Sequence, residues 1–228
     1  MTPVLAGSFP PRPPFPPERP LPPGRPFPPE RPAPAPSPYP AVTPVRVWAD
    51  PGQWPGRVYD RLFERRIVMA HGHLDGEAAS RLCAQLLTLD AEGDGPVRLE
   101  LQGLDAELPA ALMVIGVLET VRVPVLAYAA GRISGPALGV LAACGSRRAY
   151  PSAVFALSEP RMSYDGAATS ITAQEQQGRA MLDALWLRIA ETTGREVDDI
   201  RDDASRGRFF TVDEAIAYGL IEESAAAH

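Results

Sequence analysis

Ser134 is a serine in this chain placed where it could act as a covalent nucleophile. It stands in Gly131-Arg132-Ile133-Ser134-Gly135-Pro136-Ala137-Leu138, a turn between an apolar run and a run of small residues. A serine hydroxyl attacks only when a positioned base takes its proton. Glu159 and Asp105 are the conceivable bases, and either would have to come within hydrogen-bond reach. His71 and His73 stand two apart after a strand pattern, so a continuing strand would put both on one face. Zinc sites take three or four ligands, and no third is evident for this pair. The expectation is a surface or loop pair, with no metal and no cofactor. Cys83 and Cys144 cannot by themselves form a disulfide framework or a zinc site. They read as small buried apolar groups in a reducing compartment. Arg147-Arg148 reads as a solvated turn.

These residues need a frame, and the body of the chain supplies a strand–helix alternation. Residues 67–70 read as a buried strand. Ala79, Leu82, Cys83, Leu86 and Leu87 have helical spacing, which predicts a helix over 76–89. Strands follow at 97–101, 123–129 and 153–157. Pro109 marks a helix start before the apolar run 110–118. The small residues of 135–143 predict a buried helix. Thr172 with Glu175 reads as a capping box that opens the longest helix, whose apolar side carries Met181, Leu182, Leu185, Trp186 and Ile189, and Gly194 closes it. Thr211 with Glu214 reads as a second box, opening a short helix that Gly219 ends. Leu220-Ile221 reads as a last strand. Such alternation predicts an α/β body with helices packed around a sheet.

Ahead of this body lies a different composition. Of 27 prolines among 228 residues, 21 fall in residues 1–55 and 6 in the rest. Phe15-Pro16-Pro17-Glu18-Arg19-Pro20 returns as Phe27-Pro28-Pro29-Glu30-Arg31-Pro32. Proline fixes φ and removes a donor, so residues 1–56 are expected to be a disordered, polyproline-like arm or linker. A solvated tail, or a docking peptide for an aromatic groove, would suit it. Residues 41–56, with Trp48 and Trp54, leave open a packing onto the body. The domain is expected over 57–223, with residues 224–228, ending at His228, as a tail. The arm carries 5 Arg against 3 acids, and the rest 17 Arg against 25 acids. An acidic body argues against a nucleic-acid partner. The absence of an 18-residue apolar run excludes a membrane span, and the N-terminus lacks a secretory pattern. A cytoplasmic location is expected.

The body resembles the proteolytic subunit of the ATP-dependent Clp protease. The resemblance rests on ordered blocks. They are Tyr59-Asp60-Arg61-Leu62-Phe63-Glu64-Arg65-Arg66-Ile67-Val68, then Leu74-Asp75-Gly76-Glu77-Ala78-Ala79, then Gly131 with Leu141-Ala142-Ala143-Cys144. Thr192-Thr193-Gly194, Phe209-Phe210-Thr211-Val212-Asp213-Glu214-Ala215 and Ala217-Tyr218-Gly219-Leu220-Ile221 complete the set. The resemblance implies a Clp-type, crotonase-like α/β fold with a long handle helix, here residues 172–193. It implies subunits in stacked seven-membered rings working with a Clp ATPase. It also implies a serine nucleophile, a histidine base and an orienting aspartate.

Carried over block by block, those three positions read Gly135, Ser158 and Gly207. Ser134 is the nearest candidate nucleophile, one residue early. A serine in the histidine's place has no useful pKa near neutrality. Asp202 and Asp203, upstream of Gly207, read as ordinary helix-surface acids. The implied oxyanion positions read Asp105, Ala106 and Pro136. A carboxylate beside a developing oxyanion is unfavourable, and proline has no N–H to donate. The expectation is therefore a catalytically inactive structural or regulatory subunit, in a homo- or hetero-oligomeric ring with active subunits and a Clp ATPase. Two enzyme alternatives stand beside it: an active serine endopeptidase using Ser134, and a crotonase-like acyl-CoA enzyme, to which the Gly131 and Gly135 spacing is similar. A further alternative makes the arm the binding part and the body its scaffold.

Overall fold

The computed structural model describes residues 56–160, 162 and 168–225. All of the expected proline-rich arm but its last residue, Gly56, lies outside the described residues, Trp48 and Trp54 included, and so does His228.

The frame is a five-stranded parallel sheet in the order β1-β2-β3-β5-β8, formed by β1 (Ile67–Leu74), β2 (Val97–Ala106), β3 (Val125–Ala130), β5 (Ser146–Ala149) and β8 (Glu223–Ser224). A second sheet, β4-β6-β7, is formed by β4 (Arg132–Ser134), β6 (Val154–Leu157) and β7 (Arg208–Phe210), with β4 and β6 parallel and β7 antiparallel to β6. The helices are α1 (Gly56–Glu64), α2 (Gly76–Glu92), α3 (Leu108–Leu118), α4 (Ala137–Ala142), α5 (Ala168–Thr193), α6 (Val197–Arg206) and α7 (Val212–Tyr218). The architecture is the expected α/β one with a parallel sheet and helices. No helix among the described residues is long and apolar enough to cross a membrane.

Local chemistry explains the element boundaries. Asp75 caps α2 by accepting from the Ala78 N–H at 2.8 Å, and that bond holds its carboxyl below the usual range. The buried face of α2, Ala79, Leu82, Cys83, Leu86 and Leu89, repeats at helical spacing. Pro109 sits in the first turn of α3, where its missing N–H costs nothing. Thr211 and Glu214 make the reciprocal capping box of α7, and Gly219 ends that helix with φ +89°. The core runs through both sheets, with Leu99, Leu101, Ile133, Leu141, Phe155 and Leu185 fully buried.

Four expectations are corrected. α5 begins at Ala168, so Thr172 lies inside the helix rather than at its cap, and Glu175 instead pairs with Arg179 one turn on. Leu220 and Ile221 are buried core residues, and the strand falls on Glu223–Ser224, where Glu222 N–H and Ala225 N–H donate to Arg147 O and Ala149 O. Ser224 therefore belongs to the folded domain. Arg147-Arg148 is strand β5, not a solvated turn: Arg147 donates to Leu220 O and Cys144 O and pairs with Glu222, while Arg148 pairs with Glu223.

Candidate active-site cavity

The turn that carries Ser134 is built by the switch between the two sheets. β3 ends at Ala130, and Gly131, at φ +67°, turns the chain into β4. A Cβ on Gly131 would stand 3.4 Å from the Gly103 backbone nitrogen, so a bare Cα suits this close approach. Ser134 then pairs with Ala156 of β6, and the Gly135 N–H donates to Ala156 O at 3.0 Å. Gly135 takes φ +56°, and α4 follows from Pro136. Ser158 comes immediately after β6. The last two residues of β2, Asp105 and Ala106, come in from a third direction just before α3.

These pieces face one cavity of about 630 Å³, lined by Ser134, Gly135, Pro136, Ser158, Asp105 and Ala106. Arg132, Glu107 and His73 line it too. Gly207 is not among the lining residues. Glu159, considered as a base for Ser134, does not line the cavity either, whereas Asp105 does. Among the described residues, no hydrogen bond joins the Ser134 or Ser158 hydroxyl to an imidazole or a carboxylate.

His73 is the cavity residue that sequence reasoning placed elsewhere. The expectation paired it with His71. β1 does continue to Leu74, but its register with β2 shifts between His71 and Gly72, where Gly103 is the extra residue on β2. The two histidines take different partners. His71 Nε2 lies 3.2 Å from the Tyr59 hydroxyl, and His73 falls opposite Asp105. His73 Nδ1 is 3.1 Å from Asp105 Oδ1, and its Nε2 is 3.7 Å from Glu107 Oε1. The Asp105 hydrogen bond, reinforced by both carboxylate charges, raises the His73 pKa above its ordinary value. The usable signal was the two polar strand ends, 73 and 105, but pairing them requires the register. Among the described residues, no group of three or more His, Cys, Asp or Glu side chains is arranged to hold a metal ion.

The Gly207 position serves the backbone. It closes α6 at φ +71°, its N–H donating to Ala204 O. Just upstream, Asp203 corrects the surface reading: its carboxylate accepts from the Tyr218 hydroxyl at 2.8 Å and from Arg208 at 2.8 Å. Tyr218 is buried, packs on Phe210 at 4.6 Å between ring centroids, and has the Arg195 guanidinium 4.0 Å from its ring centre. Burial first, and Asp203 second, raise its pKa well above the ordinary tyrosine value. Asp203 thus ties α6 to β7 and α7. Asp203→Ala strands a buried hydroxyl and is expected to cost about 1–3 kcal/mol. Thermal unfolding checks this; an unchanged midpoint would mean the contact carries no weight. Asp202 remains exposed, paired with Arg206 within one helix turn.

Both cysteines are buried and unbridged. Burial pushes the Cys144 thiol up to about 12 and raises Cys83 as well, so neither is a thiolate near neutrality.

Comparison with known proteins fits this arrangement. The Clp protease family matches residues 52–227. ATP-dependent Clp protease proteolytic subunit 1 of Mycobacterium tuberculosis is 30% identical over 168 residues, covering 72% of this chain and 84% of the relative. Proteolytic subunit 2 of Corynebacterium glutamicum is 30% identical over 182 residues, covering 78% and 90%. Proteolytic subunit 2 of Mycolicibacterium paratuberculosis is 29% identical over 168 residues, covering 72% and 84%. A family match across most of the chain, with relatives aligned over most of their own length, means that this chain belongs to the Clp protease family.

Proposed function

We propose that this chain is a catalytically silent proteolytic-subunit homologue, serving a structural or regulatory role in a Clp ring with active subunits and a Clp ATPase. What carries the reading is the set of side chains at the three implied positions, two on the cavity wall and one, Gly207, off it. At the positions implied by the resemblance stand Gly135, with no nucleophile, Ser158, with no base, and Gly207, with no carboxylate. Each of the three has a separate role in acyl transfer, and loss of the group leaves only what the oxyanion hole can supply. That residual term is also weakened. Pro136 offers no N–H, and Asp105 puts a carboxylate on a residue that lines the cavity, where a developing oxyanion would be repelled. The same two features weigh against a thioester enolate, and so against the acyl-CoA reading.

A second reading has one observation in its favour. Ser134 shares the cavity with a His73–Asp105 pair whose Nδ1–carboxylate contact has the sense of an orienting bond. Against it, Nε2, the atom that would take the serine proton, faces Glu107.

Ring membership is tested by tagging the chain in its native host, purifying it and identifying partners by mass spectrometry. Stoichiometric recovery of a Clp proteolytic subunit with an intact Ser-His-Asp triad is the expected result. Recovery of this chain alone would overturn the mixed-ring role.

A further inference from the structure

The end of β1 and the turn entering α3 are joined twice. The Glu107 N–H donates to Leu74 O at 3.0 Å, and beside that backbone bond the His73 imidazole reaches both Asp105 and Glu107. We infer that His73 is a pH-operated clasp on the cavity wall: as imidazolium it holds both carboxylates of the Asp105–Glu107 segment, and as neutral imidazole it keeps Asp105 and releases Glu107.

The asymmetry follows from atom placement. A neutral imidazole has one N–H. Nδ1, at 3.1 Å from a carboxylate oxygen, keeps it. Nε2 then presents a lone pair to the Glu107 carboxylate, and an attractive contact becomes a repulsive one. Glu107 has no competing duty, since it is the N-cap of α3 yet makes no side-chain cap bond. The surroundings favour the charged form. Asp75, at the start of α2, is engaged by the Ala78 N–H. Arg81 on α2 is taken by Glu77. On its own strand His71 contacts Tyr59 of α1, and Arg132 lines the same cavity. The nearest partners of His73 are thus the two acids it clasps. With the folded-state pKa raised, the clasp is fully present below the ordinary histidine value of about 6.5. It is lost as pH rises through the folded-state value.

Asp105 and Ala106 form part of the cavity wall, so release of Glu107 loosens the wall and leaves the cavity more negative. The clasp stands whether or not the cavity catalyses a reaction, and its test does not read activity.

Hydrogen exchange by mass spectrometry on the full chain, across about pH 5 to 9 and corrected for intrinsic exchange, reads the amides of residues 103–112. Protection there is expected to fall about two- to five-fold in one step as pH rises, the size of a lost exposed ion pair. His73→Gln should abolish the step, and His71→Gln should keep it. Glu107→Gln, which removes the released partner without touching the imidazole, should shrink it even where His73→Gln folds poorly. A flat wild-type profile, a step that survives His73→Gln, or one that Glu107→Gln leaves at full size would overturn the clasp.

Discussion

Incubated with a fluorogenic peptide, the purified chain is expected to release no fluorophore above buffer, and Ser134→Ala is expected to change nothing. The argument extends to restoration. Gly135→Ser, Ser158→His and Gly207→Asp together rebuild the three side chains that the resemblance implies. Space permits this, because a Cβ added at Gly135 or Gly207 meets nothing within 4 Å. Backbone conformation opposes it, since φ is +56° at the first and +71° at the second. Each L-residue placed there costs about 1–2 kcal/mol. The triple variant is expected to fold, less stably, and to remain silent. Its oxyanion side is still deficient, and one missing donor alone costs about 10²–10³ in kcat. Adding Pro136→Ala returns an N–H, and Asp105→Gly removes the repelling carboxylate. Only this five-residue variant is expected to cleave. Wild-type cleavage that Ser134→Ala abolishes would instead establish the Ser134 reading. Cleavage by the triple variant alone would show that Pro136 and Asp105 do not matter.

What the sequence made legible divides along physical lines. β1, β2, β3, α2 and α3 are long apolar or amphipathic segments, and their periodicity alone announces them. β4 and β7 are three residues each, and Arg208 opens the second, so no period can form. α6 reads Val-Asp-Asp-Ile-Arg-Asp-Asp-Ala-Ser-Arg over Val197–Arg206 and buries only Ile200 and Ala204. Its acids look like a solvated face, which hid the role of Asp203. The capping signal at Thr172 was real as a pattern but fell inside a helix already begun at Ala168. In the cavity, Ser134, Gly135, Pro136, Ser158, Asp105 and Ala106 were all named from the sequence. His73 was named only as half of a pair with His71, because its partners in the fold lie 32 and 34 positions away and face it only through a register shift. Local pattern finds elements. Pairings set by sheet register lie beyond it.

The largest expected loss of stability lies where α4 meets α5, and it bears on the site because α4 begins at the Gly135–Pro136 turn. Gly139 on α4 has no side chain, and Leu185 of α5 fills the space. A Cβ on Gly139 would stand 2.3 Å from Leu185 Cδ1 and 3.0 Å from Ile115 Cδ1. Leu185 is fully buried, so it has little room to retreat. Gly139→Ala is expected to cost about 1–3 kcal/mol through overpacking. Leu185→Ala removes the occupant and leaves a cavity, for about 2–5 kcal/mol. The pair is not additive. The alanine methyl at 139 enters the void left by Leu185, so the double variant should fall short of the summed losses by at least about 0.5 kcal/mol. Denaturation of all four proteins checks this, and strict additivity would sink the idea that one side chain occupies the other's place. The same contact links α5 and the cavity. With α4 pushed off α5, the Ser134–Pro136 turn loses its backing, and exchange of its amides should rise with the stability loss. Gly139 is glycine because Leu185 stands where its side chain would be, and that fit holds the turn in place.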